Sequence, residues 1–126
     1  MEHRLRLCAE EDDFKESRRI EASLARDAQV RNWMFGGCFD PNPTRTPMYS
    51  TAWEELYLID LWEPLPPIGW KSAGFVHIAK DATHRKYRVA YAVLEAHRNM
   101  RLMSSVLPEV IAMCRNAGCE KVEAYC

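Results

Sequence analysis

The sequence predicts an α+β domain: a mixed, mostly antiparallel sheet flanked by helices. Three observations carry that expectation. Short alternating or β-branched runs recur along the chain, as in "HRLRLC", "EELYLIDL" and "RKYRVAYAVL". Two longer stretches instead repeat apolar residues at helical spacing. "SAGFVHIAK" and "RKYRVAYAVL" are separated only by the turn-like "DATH", which marks a hairpin.

Taken in order, residues 3–8 read as a first strand with Leu5 and Leu7 on one side. "AEEDDFKESRRIEASLARDAQVRNWMF" reads as helix, because its acidic opening meets the positive end of the helix dipole. Phe14, Ile20, Leu24 and Ala28 form its apolar stripe, with a break near Arg26 and Asp27 into a short second helix carrying Val30, Trp33 and Met34. Gly36 and Gly37 end it. Residues 36–52 form a proline- and glycine-rich loop, and 54–61 a strand. "WEPLPPIGW" is a stiff connector to the hairpin of 72–80 and 85–94, in which Tyr87, Val89, Tyr91 and Val93 share a face. After the turn "EAHRNMRLMSS", residues 95–105, a helix runs through Ala117. Its apolar side is Leu102, Met103, Val106, Val110, Met113 and Ala117, and Gly118 suits its C-terminal cap. "EKVEAYC" is a last strand, giving the order β, α(α), β, β, β, α, β.

A chain of 126 residues is the size of a single domain, taken as 1–126. Its net charge of −1 gives no global field for nucleic acid or anionic membrane, so neither is an expected partner. The apolar runs fall short of a bilayer span and the charged opening is unlike a signal peptide, so the expected setting is cytoplasmic. Cys8, Cys38, Cys114, Cys119 and Cys126 include no C-x-x-C pair, which argues against a metal site and for free thiols. "THRKYR", residues 83–88, reads as a solvated hairpin tip. Trp33, Trp53, Trp62 and Trp70 border irregular segments, where large aromatics serve either a core or a protein interface.

The stretch "GFVHIAK…YRVAYAVLEAHRNMRLMSSVLPEVIAMCRNAGCEKVEAYC" resembles the GNAT superfamily of N-acetyltransferases. The likeness rests on the hairpin, the spacing from Val93 to Arg98, the helix with Leu107 and Ile111, and the passage from Gly118 to Val122. It implies an acetyl-CoA site in which the backbone of Tyr91 to Val93 pairs with pantetheine. The pyrophosphate would rest on a turn whose first position is Arg98 and whose two small positions are Arg101 and Met103, beside Ser104. Unpaired amides and the dipole at a helix N-terminus favour an anion there.

Three departures set this chain apart from that pattern. Glycine normally lets backbone approach phosphate closely or adopt positive φ, yet long side chains stand at Arg101 and Met103. Arg101 is either a solvated surface residue or a phosphate ligand through charge-assisted bonds. Pro108 favours a helix starting at Ser104 or Ser105, where a missing N–H costs nothing. The pattern's last helix and two strands, with a tyrosine that protonates the leaving thiolate, have no counterpart before Cys126, and Tyr125 is not at that tyrosine's place.

Two functions remain open on the sequence. One is a non-catalytic binding or assembly protein without cofactor, docking on other protein chains as a homo- or hetero-oligomer through its open sheet edge and loops. In size and in its altered turn the chain resembles GNAT-like structural or internal components of phage particles, a likeness that would place it in a virion. The other is an acetyl-CoA-dependent N-acetyltransferase acting on an amine or protein N-terminus. Its proton acceptor would be Glu95, or Glu54 or Glu55 where the second strand begins; His77 shares a strand face with Phe75 and also reads as a hydrogen-bonded structural residue.

Overall fold

The computed structural model describes residues 2–26, 54–81 and 85–125. The expected second short helix, the 36–52 loop, Trp33, Trp53, Cys38, the 82–84 hairpin tip and Cys126 lie outside the described residues. The described order is β1 (His3–Leu7), α1 (Glu11–Ala25), β2 (Glu54–Glu63), β3 (Gly69–Asp81), β4 (Lys86–Val93), a 3₁₀ turn (Glu95–Met100), α2 (Leu102–Asn116) and β5 (Lys121–Tyr125). The five strands form one sheet in sequence order. Neighbours from β1 to β4 are antiparallel, and β4 and β5 are parallel. A parallel pair needs a crossover, and α2 supplies it.

Each face of the sheet carries its own apolar layer. On one side Phe14, Ile20 and Leu24 of α1 cover Leu56, Leu58, Phe75 and Ala92. On the other, Leu102, Val106, Val110 and Cys114 of α2 cover Ile59, Leu61, Val76, Ile78, Val89 and Val93. The expected face of Tyr87, Val89, Tyr91 and Val93 is this α2 side. α1 begins where the Asp13 carboxylate accepts the Ala9 and Glu10 amides, each at 3.1 Å, so the acidic opening does cap the helix. In β1, Leu5 packs toward the core while Leu7 is exposed, and Arg4 and Arg6 turn inward to Asp60 on the opposite face.

Two boundaries differ from expectation for identifiable reasons. β2 and β3 continue into the proline-rich connector, because Trp62 and Trp70 pair directly across the strands with their rings 5.3 Å apart. Cross-strand aromatic pairs stabilise a ladder and so extend it. α2 begins at Leu102 rather than at Ser104 or Ser105, which leaves Pro108 inside the helix and the Ser104 carbonyl without its usual amide donor. Starting there buries Leu102 in register with Val106, Val110 and Cys114. Burying a leucine is worth about 1.5–3 kcal/mol, enough to offset much of the proline penalty. At the other end of the stripe Cys114 is buried in place of Ala117, which caps the helix and is exposed.

A bulge in β3 fixes where β4 ends. Gly74 lies opposite Ile59 and Ser72 opposite Asp60, so Ala73 is the extra residue. Its carbonyl accepts the Leu94 amide at 2.8 Å, closing the β3 side of β4 one residue past Val93.

Candidate functional site

The register between β4 and β5 runs from Lys86 opposite Lys121 to Ala90 opposite Tyr125. β4 therefore extends three residues, Tyr91, Ala92 and Val93, beyond its last paired position with β5 among the described residues. Successive peptide groups of a strand point to opposite sides. The Leu94 amide faces β3, so the N–H and C=O of Val93, and of Tyr91 two residues earlier, face the β5 side. The Val93 carbonyl accepts Arg98 Nε at 3.0 Å. Arg98 thus folds back over the end of β4 and ties the turn to the strand.

The turn leads into the helix through Arg101, which holds the left-handed conformation at φ 54° and ψ 29°. The position that resembled a glycine site does demand glycine-like backbone, and an arginine supplies it. Such a residue costs roughly 1–2 kcal/mol. Replacing Arg101 with Gly is therefore expected to raise stability by about 1 kcal/mol, after glycine's greater loss of chain entropy. Urea unfolding measures it, and a destabilised Arg101→Gly protein would show that the side chain makes contacts outweighing the strain.

α2 has no side-chain cap and no acidic residue in its first turn. The first-turn amides, Leu102, Met103 and Ser104, have no acceptor within the helix. Met103 packs against the α2-side core instead of lying over the turn, while Arg101 and Ser104 are exposed. One of the two bulky residues expected to obstruct an anion is therefore turned away from it. Tyr91 also packs on this core, so only its main chain is offered to the open side.

The candidate proton acceptors are spread apart. Glu95 is exposed at the start of the 3₁₀ turn, beyond the end of β4. Glu55 accepts the Tyr57 hydroxyl at 2.5 Å and pairs with Lys80, which lies over the Tyr87 ring. Burial pushes its carboxyl up, but Lys80 and Tyr57 together hold it below the usual range. Already bonded and weakly basic, Glu55 is a poor base. Glu54 lies 4.0 Å from His77 Nε2. Burial pushes the Cys8 thiol up to about 12 and raises Cys114 too, so neither serves as a nucleophile near neutral pH. Among the described residues no cluster of His, Cys, Asp or Glu could hold a metal ion.

One feature of the sheet was missed in the sequence. Asp60 is 1% exposed and accepts Arg4 Nε at 2.9 Å, Arg6 Nε at 2.8 Å and Ser72 Oγ at 3.0 Å. Arg6 also pairs with Asp13 at the start of α1. The signal was present: an aspartate interrupts the apolar run "LYLIDLW", and two arginines alternate with leucines in β1. A charge in a buried strand calls for partners.

No family model matches the chain, and no curated protein does. Among solved structures, an acetyltransferase from Trypanosoma brucei matches 98% of this chain and 82% of its own, with a TM-score of 0.53 and 16% sequence identity. A likeness at that identity concerns architecture alone. The described residues have a GNAT-like α+β fold: a five-stranded, mostly antiparallel sheet between two helices.

Proposed function

We propose that the chain binds an acyl-coenzyme A and transfers its acyl group to an amine, as an N-acetyltransferase of the GNAT type does. The observation that carries this reading is the junction between β4 and α2. The strand's last main-chain groups face the β5 side beyond the last β5 position paired among the described residues, and a helix with no side-chain cap begins a few residues later. Pantetheine amides would pair with the Tyr91 and Val93 main chain; the Val93 carbonyl keeps a second lone pair beside Arg98. The pyrophosphate would meet the amides of Leu102, Met103 and Ser104, with the exposed Arg101 at its rim. Acetyl-CoA, when bound, supplies the activated acyl group. The chain's part is to hold it and accept a proton from the amine.

Thermal unfolding with and without millimolar acetyl-CoA tests the reading. At a hundredfold excess over Kd, binding adds about 2.7 kcal/mol of stability. Arg101→Gly is expected to bind more tightly, since it clears the turn without disturbing the Met103 contact with the core. No shift in melting temperature at millimolar acetyl-CoA would end the acetyltransferase reading.

A second reading has one observation in its favour. The β2–β3 hairpin exposes Trp62, Leu65, Ile68 and Trp70, with Leu65 and Ile68 at 69% and 65%. Apolar residues grouped on a tip suit docking on another protein chain. If docking is the function, replacing Leu65 and Ile68 with Glu abolishes self- or partner association in sedimentation; in the first reading it leaves acetyl-CoA binding intact. No helix among the described residues is long and apolar enough to cross a membrane.

A further inference from the structure

We infer that His77, with Glu54 beside it, is the proton acceptor for the amine, an inference that rests on the acetyltransferase reading above. An arm running from the α2 N-terminus back along Val93 and Tyr91 would bring its thioester to Ala90, the last β4 position paired with β5 among the described residues. Ala90 is opposite His77 in the adjacent strand, and neighbouring strands are about 4.8 Å apart. His77 shares the α1 side of the sheet with Phe75, while Ala90 and Ala92 put only methyl groups on that side of β4. The imidazole therefore stands beside that end of the arm with no bulky β4 side chain between.

Glu54 reaches the same place from β2. It is opposite Ala79, on the face that Leu56 and Leu58 share with α1, and its Oε1 is 4.0 Å from His77 Nε2. A carboxylate there orients the ring and offsets the charge of the imidazolium that proton transfer creates. His77 is 17% exposed at its side chain, but Nε2, the atom facing Glu54, is itself shielded from solvent, so the amine would reach the ring at Nδ1. Among the described residues the α1 side also carries Arg88 on β4, by strand alternation, Glu21 on α1, which acts on Cys8, and the network of Arg4, Arg6, Asp60 and Asp13.

The competing carboxylates are placed less well. Glu55 points to the α2 side and is held by Lys80 and Tyr57. Glu95 lies beyond Val93, at the phosphate end of the arm instead of the thioester end. In the step itself the amine nitrogen attacks the thioester carbonyl carbon, the C–N bond forms and the C–S bond breaks. The amine proton passes to the imidazole, which later gives it to solvent, and the departing CoA thiolate takes a proton from water.

The test is release of CoA thiol from acetyl-CoA in the presence of tetrapeptides with free α-amines, followed from acid to alkaline pH. The wild-type rate should rise with pH through the titration of one imidazole. His77→Gln should lose roughly a hundredfold in kcat, lose that limb of the profile and keep the KM for acetyl-CoA. Added imidazole should restore part of the rate to His77→Ala. Glu54→Gln should lose several-fold in kcat and move the limb to lower pH. The melting shift produced by acetyl-CoA must survive in His77→Gln, which shows that the variant is folded and its cofactor site intact. A wild-type kcat and profile in folded His77→Gln, or no turnover by a wild-type chain that does bind acetyl-CoA, overturns the assignment while leaving the cofactor reading in place. Failure of the wild type to bind acetyl-CoA removes both.

Discussion

Asp60→Ala is expected to destabilise the protein by about 3 kcal/mol, the low end for breaking a buried ion pair, because Arg4 and Arg6 keep partial access to water. The substitution removes four hydrogen bonds at once and leaves Ser72 Oγ buried without its Asp60 acceptor. It also loosens β1, whose inward arginines hold it to β2, and the Arg6 link to α1. A urea midpoint measures the loss. A change below 1 kcal/mol would mean that the arginines are as well satisfied by water as by Asp60, and that the network does not fix β1.

The same network makes stability depend on pH. Burial pushes Asp60 up, but bonds from Arg6, Arg4 and Ser72 outweigh it and hold the carboxyl below its usual range. Asp13 behaves alike: burial raises it, and the Ala9 and Glu10 amides with Arg6 lower it further. A carboxyl depressed in the folded state contributes stability above its unfolded pKa and loses it as pH falls through the folded value. With Glu55 also depressed, stability should decline steadily below about pH 5, where the unfolded carboxyls begin to bind protons ahead of the folded ones. Asp60→Asn should show a shallower decline over the same range.

Gly74→Ala is the second large effect. A β-carbon at Gly74 would lie 2.3 Å from the Ala92 carbonyl oxygen and 3.0 Å from Val93 Cα. Both are backbone atoms of the neighbouring strand, so no side-chain rotation relieves the clash and β3 must part from β4. Overpacking of this kind costs about 3 kcal/mol. The place matters as much as the size, since the strands separate at the end of β4 that carries the proposed cofactor groups. Gly74→Ala should therefore lower both the melting temperature and any acetyl-CoA affinity. Gly118 provides the contrast: its φ is 94°, yet nothing lies within 4 Å of an added β-carbon. Gly118→Ala should cost only the conformational strain, about 1–2 kcal/mol, and leave cofactor binding unchanged.

The order of elements along the chain and most of the two helix stripes were legible because period-two and period-four burial patterns are written directly in the residues. Local rules failed where a long-range contact outweighed them. Pro108 argued for a later start to α2, and burial of Leu102 against the sheet overrode it. The prolines near 64–67 argued for a connector from Trp62 to Trp70, and the pairing of those two rings across the strands overrode that. The candidate site divides in the same way. Arg98, Arg101 and Met103 could be placed on the turn from spacing, but not their conformations. Whether Met103 obstructs the turn depends on which way it packs, and the core beneath α2 decides that. His77 and Glu54 are separated by more than twenty residues, and only the β2–β3 register brings them together.

A titration of ¹⁵N-labelled protein with acetyl-CoA, read as amide shift changes, bears most directly on the claim that the β4–α2 junction is a cofactor cradle. The largest changes are expected at Tyr91, Val93 and Leu102 to Ser104, with Arg101 close behind and the Trp62–Trp70 hairpin silent. Unmoved amides at the junction under saturating acetyl-CoA, or shifts confined to that hairpin, would contradict it.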